Sequence, residues 1–250
     1  MTGYHSAVPV SAPFHEFSRI RGNRRARNEL VALGVLACLG AFVLLLLVAM
    51  LIYPGGNWLD PNADGHRFFL NFFCDLTQPF AISGRPNPLG SLLAKVAMLW
   101  FALALGGFFW IAPSHFEKGA RIGVWVRTLG LSATLTYAVV PLVPSERFGP
   151  IHTEAILMAA PPGLLAVLLI VLGLTRADPA KKLLAWLGVL SLALGAVDSA
   201  VFVSHLGVRG PPPRLLPVLQ KLAAISLSTW MAALAYRTWA VRSARVQAKP

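Results

Sequence analysis

His152, His205, Asp75, Asp198 and Glu154 are the residues of this chain whose types suit chemistry. Imidazoles and carboxylates are the ligand set of a catalytic zinc that keeps one position open for water and lowers that water's pKa to about 7. On this reading His152 and His205 are metal ligands, Asp75 or Asp198 completes the set, and Glu154 is the general base. The metal-free alternative is acid–base catalysis by a His–Asp pair. Asp198 and His205 are two helical turns apart and share a face, which Ser191 extends. His152 and Glu154, two residues apart, point about 200° from each other on a helix, so both cannot face one pocket equally. Further polar candidates are His66, Asn71, Cys74 and Asn87. The aromatic stretch 67–76 is predicted to be a short helix in the interface or dipping into the bundle, with Asn71 and Asp75 on one face. No His-Glu-x-x-His, Gly-x-Ser-x-Gly, phosphate loop or Cys-x-x-Cys string is present.

The elements that must position these residues are six apolar segments, 30–53, 91–112, 122–143, 151–174, 183–206 and 216–239. Each has at least 22 residues, and a helix needs about 20 to cross a bilayer. The 250-residue chain is 56% hydrophobic and 13% charged, with a mean hydropathy of +0.64. Soluble domains carry about 25% charged residues. The expectation is an all-α polytopic membrane protein: a disordered tail over 1–28, one six-helix domain over 29–240 with a long loop at 54–90, and a basic tail over 241–250. Arg19, Arg21, Arg24, Arg25 and Arg27 precede the first apolar run, which is too long for a signal peptide and reads as a retained helix.

The loops divide the charges. Fifteen of the 22 Lys and Arg residues fall on the side of the two termini and the even-numbered connections. Positive charge favours the cytoplasm, so both termini are expected there. Asp60, Asp64, Asp75, Glu146, Glu154, Asp198, His66, His152 and His205 fall in the other half, so the acid–base residues converge on the extracytoplasmic side. The net charge of +12 is accounted for by topology and contact with anionic lipid. Nucleic-acid binding is excluded, because no basic face with interleaved aromatics is present. Cys38 and Cys74 sit at different depths and make no disulfide framework.

Within these segments Asp198 is the costly residue. An intramembrane carboxylate should face the bundle interior and find a partner, with His205, Lys221 and Arg209 as candidates. Pro161-Pro162 is expected to kink the fourth span. Glycines such as Gly34, Gly130 and Gly188 suit close helix packing. Trp58, Tyr53 and Trp239 read as interfacial anchors. Asn87 or Pro88 leads into the second span, with Ser91 in its first turn.

The run Asn71-Phe72-Phe73-Cys74-Asp75-Leu76, followed by Gly84-Arg85-Pro86-Asn87-Pro88 and Ser91, resembles the bacterial family called domain of unknown function nine-nine-eight. Pro144-Ser145-Glu146 with His152 is similar to that family's stretch before its fourth helix. More distantly, the layout is similar to the damage-regulated autophagy modulators and to a lipid-remodelling factor for glycosylphosphatidylinositol anchors. The chain departs from the pattern at Cys74, where the family has Ser, and near Gln78, where Gly is expected. The resemblance implies a six-helix protein of the bacterial inner membrane and brings no established activity.

Two function classes follow. One is a membrane-embedded lipid hydrolase or transferase working at the outer leaflet, with or without zinc. The other is a non-enzymatic membrane protein that binds lipid or a protein partner, or a small permease. The double proline has no counterpart in the first span, and transporters usually break helices at matching positions in their repeats, which weighs against the permease.

Overall fold

The structure, a computed structural model, describes residues 12–116, 121–175, 181–208, 210 and 212–247. Among these residues seven α-helices follow in chain order: α1 (Ala12–Leu51), α2 (Phe73–Leu76), α3 (Pro88–Ile111), α4 (Ile122–Val139), α5 (Ser145–Thr175), α6 (Lys182–His205) and α7 (Leu215–Gln247). All but α2 contain a stretch long and apolar enough to cross a membrane. The protein is therefore an all-helical integral membrane protein with six candidate spans. The first helix begins inside the stretch expected to be a tail, and the last runs to Gln247 through most of the expected basic tail. Residues 1–11 of the expected disordered segment lie outside the described residues.

Neighbours in sequence pack against each other from α3 to α7, and α1 packs on both α3 and α7. The six long helices thus close a ring, with α3 also touching α7 across it. Because every face of a spanning helix is apolar, only packing selects the inward one. On α1 the buried apolar residues are Ala32, Val35, Leu39, Phe42, Leu46 and Ala49. They recur at alternating intervals of three and four, the seam of a left-handed helix pair. Leu30, Leu44 and Leu51 point outward, as lipid-facing residues do. The glycines divide between two roles. A Cβ on Gly130 would lie 2.1 Å from Phe109 Cγ, and one on Gly188 2.5 Å from Trp230 Cζ2, so both permit close helix approach. Gly34 has nothing within 4 Å and makes no such approach.

At one end of the ring lie the 54–87 loop, the α4–α5 turn and the α6–α7 connection. Gln78 Nε2, donating to Ser145 Oγ at 2.6 Å, ties the loop to the start of α5, and Gln220 Oε1, accepting from the Phe73 amide at 2.9 Å, ties it to α7. At the opposite end the Arg27 and Arg127 guanidiniums stack on Trp110, 5.2 and 5.0 Å from the ring centroid. There too the His115 ring meets Thr238 Oγ1 at 2.8 Å. The charge-rich terminal side and the acid-and-histidine side are thus two distinct ends of one bundle.

The fourth span breaks elsewhere than expected. Helix α5 continues through Pro161 and Pro162, and its non-helical residue is Phe148, φ −129° and ψ 36°. Phe148 lies within the turn that Pro150 interrupts, since proline has no N–H to donate to the carbonyl of Glu146. Pro161 and Pro162 still leave the carbonyls one turn earlier without an intrahelical donor.

Candidate functional site: a loop platform over paired cavities

The 54–87 loop is folded by its own polar groups. Gly56, at φ +84°, takes a conformation that favours glycine, and a Cβ there would lie 2.4 Å from Ser83 N. Its carbonyl accepts from Asn71 Nδ2 at 2.8 Å. Asn71 Oδ1 in turn accepts from the Arg67 amide at 2.9 Å. Asn87 Nδ2 donates to the Leu76 and Gln78 carbonyls at 3.2 and 3.1 Å. Asn87 precedes Pro88 at the start of α3, as expected, and Ser91 in the first turn donates to the Thr77 carbonyl at 2.7 Å. Asn71 and Asn87 are therefore buried staples of the loop. Tyr53 is buried too, and its hydroxyl accepts from the Ile82 amide at 3.1 Å, so it belongs to the loop's core rather than to an interfacial anchor.

The expected helix over 67–76 is reduced to the single turn of α2, and Asn71 precedes it. Asn71 and Asp75 still meet, through Asn71 Nδ2 and Asp75 Oδ2 at 3.2 Å. The same oxygen accepts from the Phe72 amide at 2.8 Å, and Asp75 Oδ1 accepts from Trp58 Nε1 at 3.3 Å. Trp58 is thus a donor to Asp75. Burial pushes the Asp75 carboxyl up to about 6, while the Phe72 amide, Asn71, Trp58 and the Lys221 charge pull it down. Cys74 beside it is pushed up to about 12 by burial and by the Asp75 charge, so it is a thiol and a poor nucleophile at neutral pH.

Lys221 on α7 is fully buried. Its ammonium donates to the Asn71 and Pro217 carbonyls and lies 4.8 Å from the Phe73 ring centroid and 5.5 Å from that of Phe68. Next to it Gln220 Oε1 accepts from the Phe73 amide at 2.9 Å. Lys221 is therefore committed to the loop and is not the partner of Asp198. Arg209, the other cationic candidate, lies outside the described residues.

Beneath the loop, between α5, α6 and α7, lies a cavity of about 440 Å³. It gathers Cys74, Asp75, His152, Asp198 and His205 from three separate stretches of chain. Glu154 is exposed and outside it, as the angle between residues 152 and 154 foretold. His66 is also outside. It stacks edge-on against Tyr53 at 5.9 Å, and burial with the Lys221 charge lowers its pKa to about 4. The His152 ring meets the Val143 carbonyl through Nδ1 at 2.8 Å. A carbonyl only accepts, so Nδ1 carries the proton and Nε2 keeps the lone pair.

A second cavity of about 280 Å³ continues toward the middle of the bundle, lined mainly by apolar residues of α3 to α7 such as Phe101, Phe109 and Leu227. Cys74, Asp198, Ser199 and Gln220 line both spaces. Ser191, on the Asp198 face of α6, bonds Ser226 Oγ at 2.9 Å and ties α6 to α7. Asp198 itself makes no hydrogen bond or ion pair with a described residue.

Among the described residues no three of His, Cys, Asp and Glu lie where they share a metal ion. The residues expected to hold zinc line one cavity from three sides, Asp75 from the loop, His152 from α5, and Asp198 with His205 from α6. Two contributors had no motif to reveal them. Gln78 receives the Glu146 amide at 3.2 Å while donating to Ser145, and so caps α5 from the loop. Gln220 anchors α2. The chain matches no protein-family model, no curated protein and no solved structure.

Proposed function

We propose that this membrane protein takes a lipid-like amphiphile from the bilayer into the paired cavities, with the polar end beneath the 54–87 loop and the apolar end between the helices. The carrying observation is the wall that the two spaces share. Both are lined mainly by apolar groups, the outer one also carries two histidines and two aspartates, and Asp198 lines both. Volumes of this size suit small-molecule sites lined mostly by apolar groups with a few placed polar ones. The distribution of Lys and Arg supports a loop end outside the cytoplasm with both termini inside. The resemblance of the 71–91 stretch to a bacterial six-helix family supports an inner-membrane location.

Binding is favoured over turnover by the state of the candidate groups. Asp75 is engaged by three donors, Cys74 is held as a thiol, and Glu154 is outside the cavity. One observation favours hydrolysis as a second reading. The Nδ1–H of His152 is fixed by Val143, so Nε2 is a base able to take a proton from a water that attacks an ester.

Mass spectrometry of lipids extracted from protein purified in mild detergent tests the binding reading. A retained amphiphile near one per chain is expected, and it should be lost from Ala224→Phe, which fills the inner cavity. A wild-type protein that retains none refutes the reading. Release of fatty acid by wild type but not by His152→Gln would instead establish the hydrolytic one.

A further inference from the structure

We propose that the amphiphile carries an ammonium group, and that the Asp198 carboxylate is its counter-charge. The inference rests on the cavity reading above and adds the chemistry of the headgroup.

A carboxyl on a spanning helix is costly unless it is paired. Asp198 lines both cavities and has no hydrogen bond or ion pair with a described residue. Lys221, a candidate partner by sequence, is engaged elsewhere. Lys221 points to the Asn71 and Pro217 carbonyls and to two phenylalanine rings. Among the described residues no Lys or Arg lines either cavity, so an anionic headgroup would meet carboxylates and no fixed positive charge. The Nδ1–H of His152 is already used by Val143. A cationic headgroup meets the opposite situation.

The walls suit the same ligand. Trp58, Phe72 and Phe202 line the outer cavity, and Phe101 and Tyr137 the inner one. Aromatic faces attract ammonium and quaternary ammonium groups, most strongly where water is excluded. Asp198 sits where the two spaces join, so an ammonium held there leaves its alkyl chain in the apolar inner cavity.

The test is native mass spectrometry of the full chain in a non-ionic detergent, titrated with probes of one chain length. These are dodecyltrimethylammonium, dodecanol and dodecyl sulfate, with dilauroyl phosphatidylethanolamine and dilauroyl phosphatidylglycerol as two-chain probes. The ammonium probe is expected to bind about tenfold or more tighter than the alcohol and the sulfate. Asp198→Asn should abolish that preference. Phosphatidylethanolamine bound above phosphatidylglycerol would identify a membrane lipid as the source of the ammonium. Preference for the single-chain ammonium alone would identify a free cationic amphiphile. Equal binding of all headgroups, or tighter binding of the sulfate, overturns the ammonium inference and leaves the cavity reading standing. Binding of no probe, or binding unaffected by Ala224→Phe, overturns both. The headgroup comparison on wild type decides the matter even if Asp198→Asn fails to fold.

Discussion

The Lys221 ammonium on the last helix donates to the main-chain carbonyl of Asn71, 150 residues earlier in the chain. This contact, with the Phe68 and Phe73 rings against the same ammonium, pins the 54–87 loop onto α7 and so roofs the cavity. Lys221→Met keeps the apolar stem and removes the charge. The buried Asn71 carbonyl then loses its donor and Asp75 loses the nearby cation, at a cost of about 1–3 kcal/mol. A lowered thermal unfolding midpoint in detergent, with shifted tryptophan emission from Trp58, is the expected result. An unchanged midpoint would show that the loop is held without Lys221.

Two loop groups give stability opposite dependences on pH. The Asp75 carboxyl, raised from 3.8 to about 6, contributes stability that is full below pH 3.8 and is lost as pH rises through about 6. The His66 imidazole, lowered from 6.5 to about 4, contributes stability that is full above pH 6.5 and is lost as pH falls through about 4. The two slopes oppose each other between about pH 4 and 6 in the intact protein. Unfolding midpoints measured across this window should rise more steeply with pH in Asp75→Asn than in wild type, and less steeply in His66→Gln. Parallel curves for all three proteins would contradict the assignment.

Gln78 closes the gap between the loop and the start of α5, holding Ser145 Oγ and the Glu146 amide. Gln78→Ala removes a cap and should cost about 0.5–2 kcal/mol. Its local signature is faster hydrogen–deuterium exchange over residues 145–150, with protection of α1 unchanged. Exchange as slow as in wild type would remove Gln78 from the capping role.

Gly130→Ala places a methyl 2.1 Å from Phe109 Cγ, which forces that ring out of its position. Overpacking of this kind costs about 1–3 kcal/mol. Gly34→Ala meets nothing within 4 Å and gains helix propensity of up to about 1 kcal/mol. Denaturation of the two variants side by side in detergent should therefore give shifts of opposite sign, and equal shifts would deny Gly130 its role in the α3–α4 contact.

The spans themselves were legible in the sequence. Crossing a bilayer depends on apolar transfer summed over some 20 consecutive residues, a local property that needs no knowledge of partners. The turn into α3 was legible for the same reason, since Asn87, Pro88 and Ser91 act within one turn of each other. Two-turn spacing correctly placed Asp198 and His205 on one wall, and the two-residue spacing of His152 and Glu154 correctly separated them.

What tertiary structure alone decided was non-local. Helices that are apolar all round carry no pattern that says which face turns inward, so the buried seam of α1 and the contact at Gly130 follow from packing. Whether a glutamine is a cap or a bystander depends on what arrives beside it, and the Ser145 hydroxyl comes to Gln78 from 67 residues further along the chain. Lys221 had two carboxylates within plausible reach by sequence, and it went to the loop carbonyl and aromatic rings near Asp75. That choice leaves Asp198 facing an open cavity.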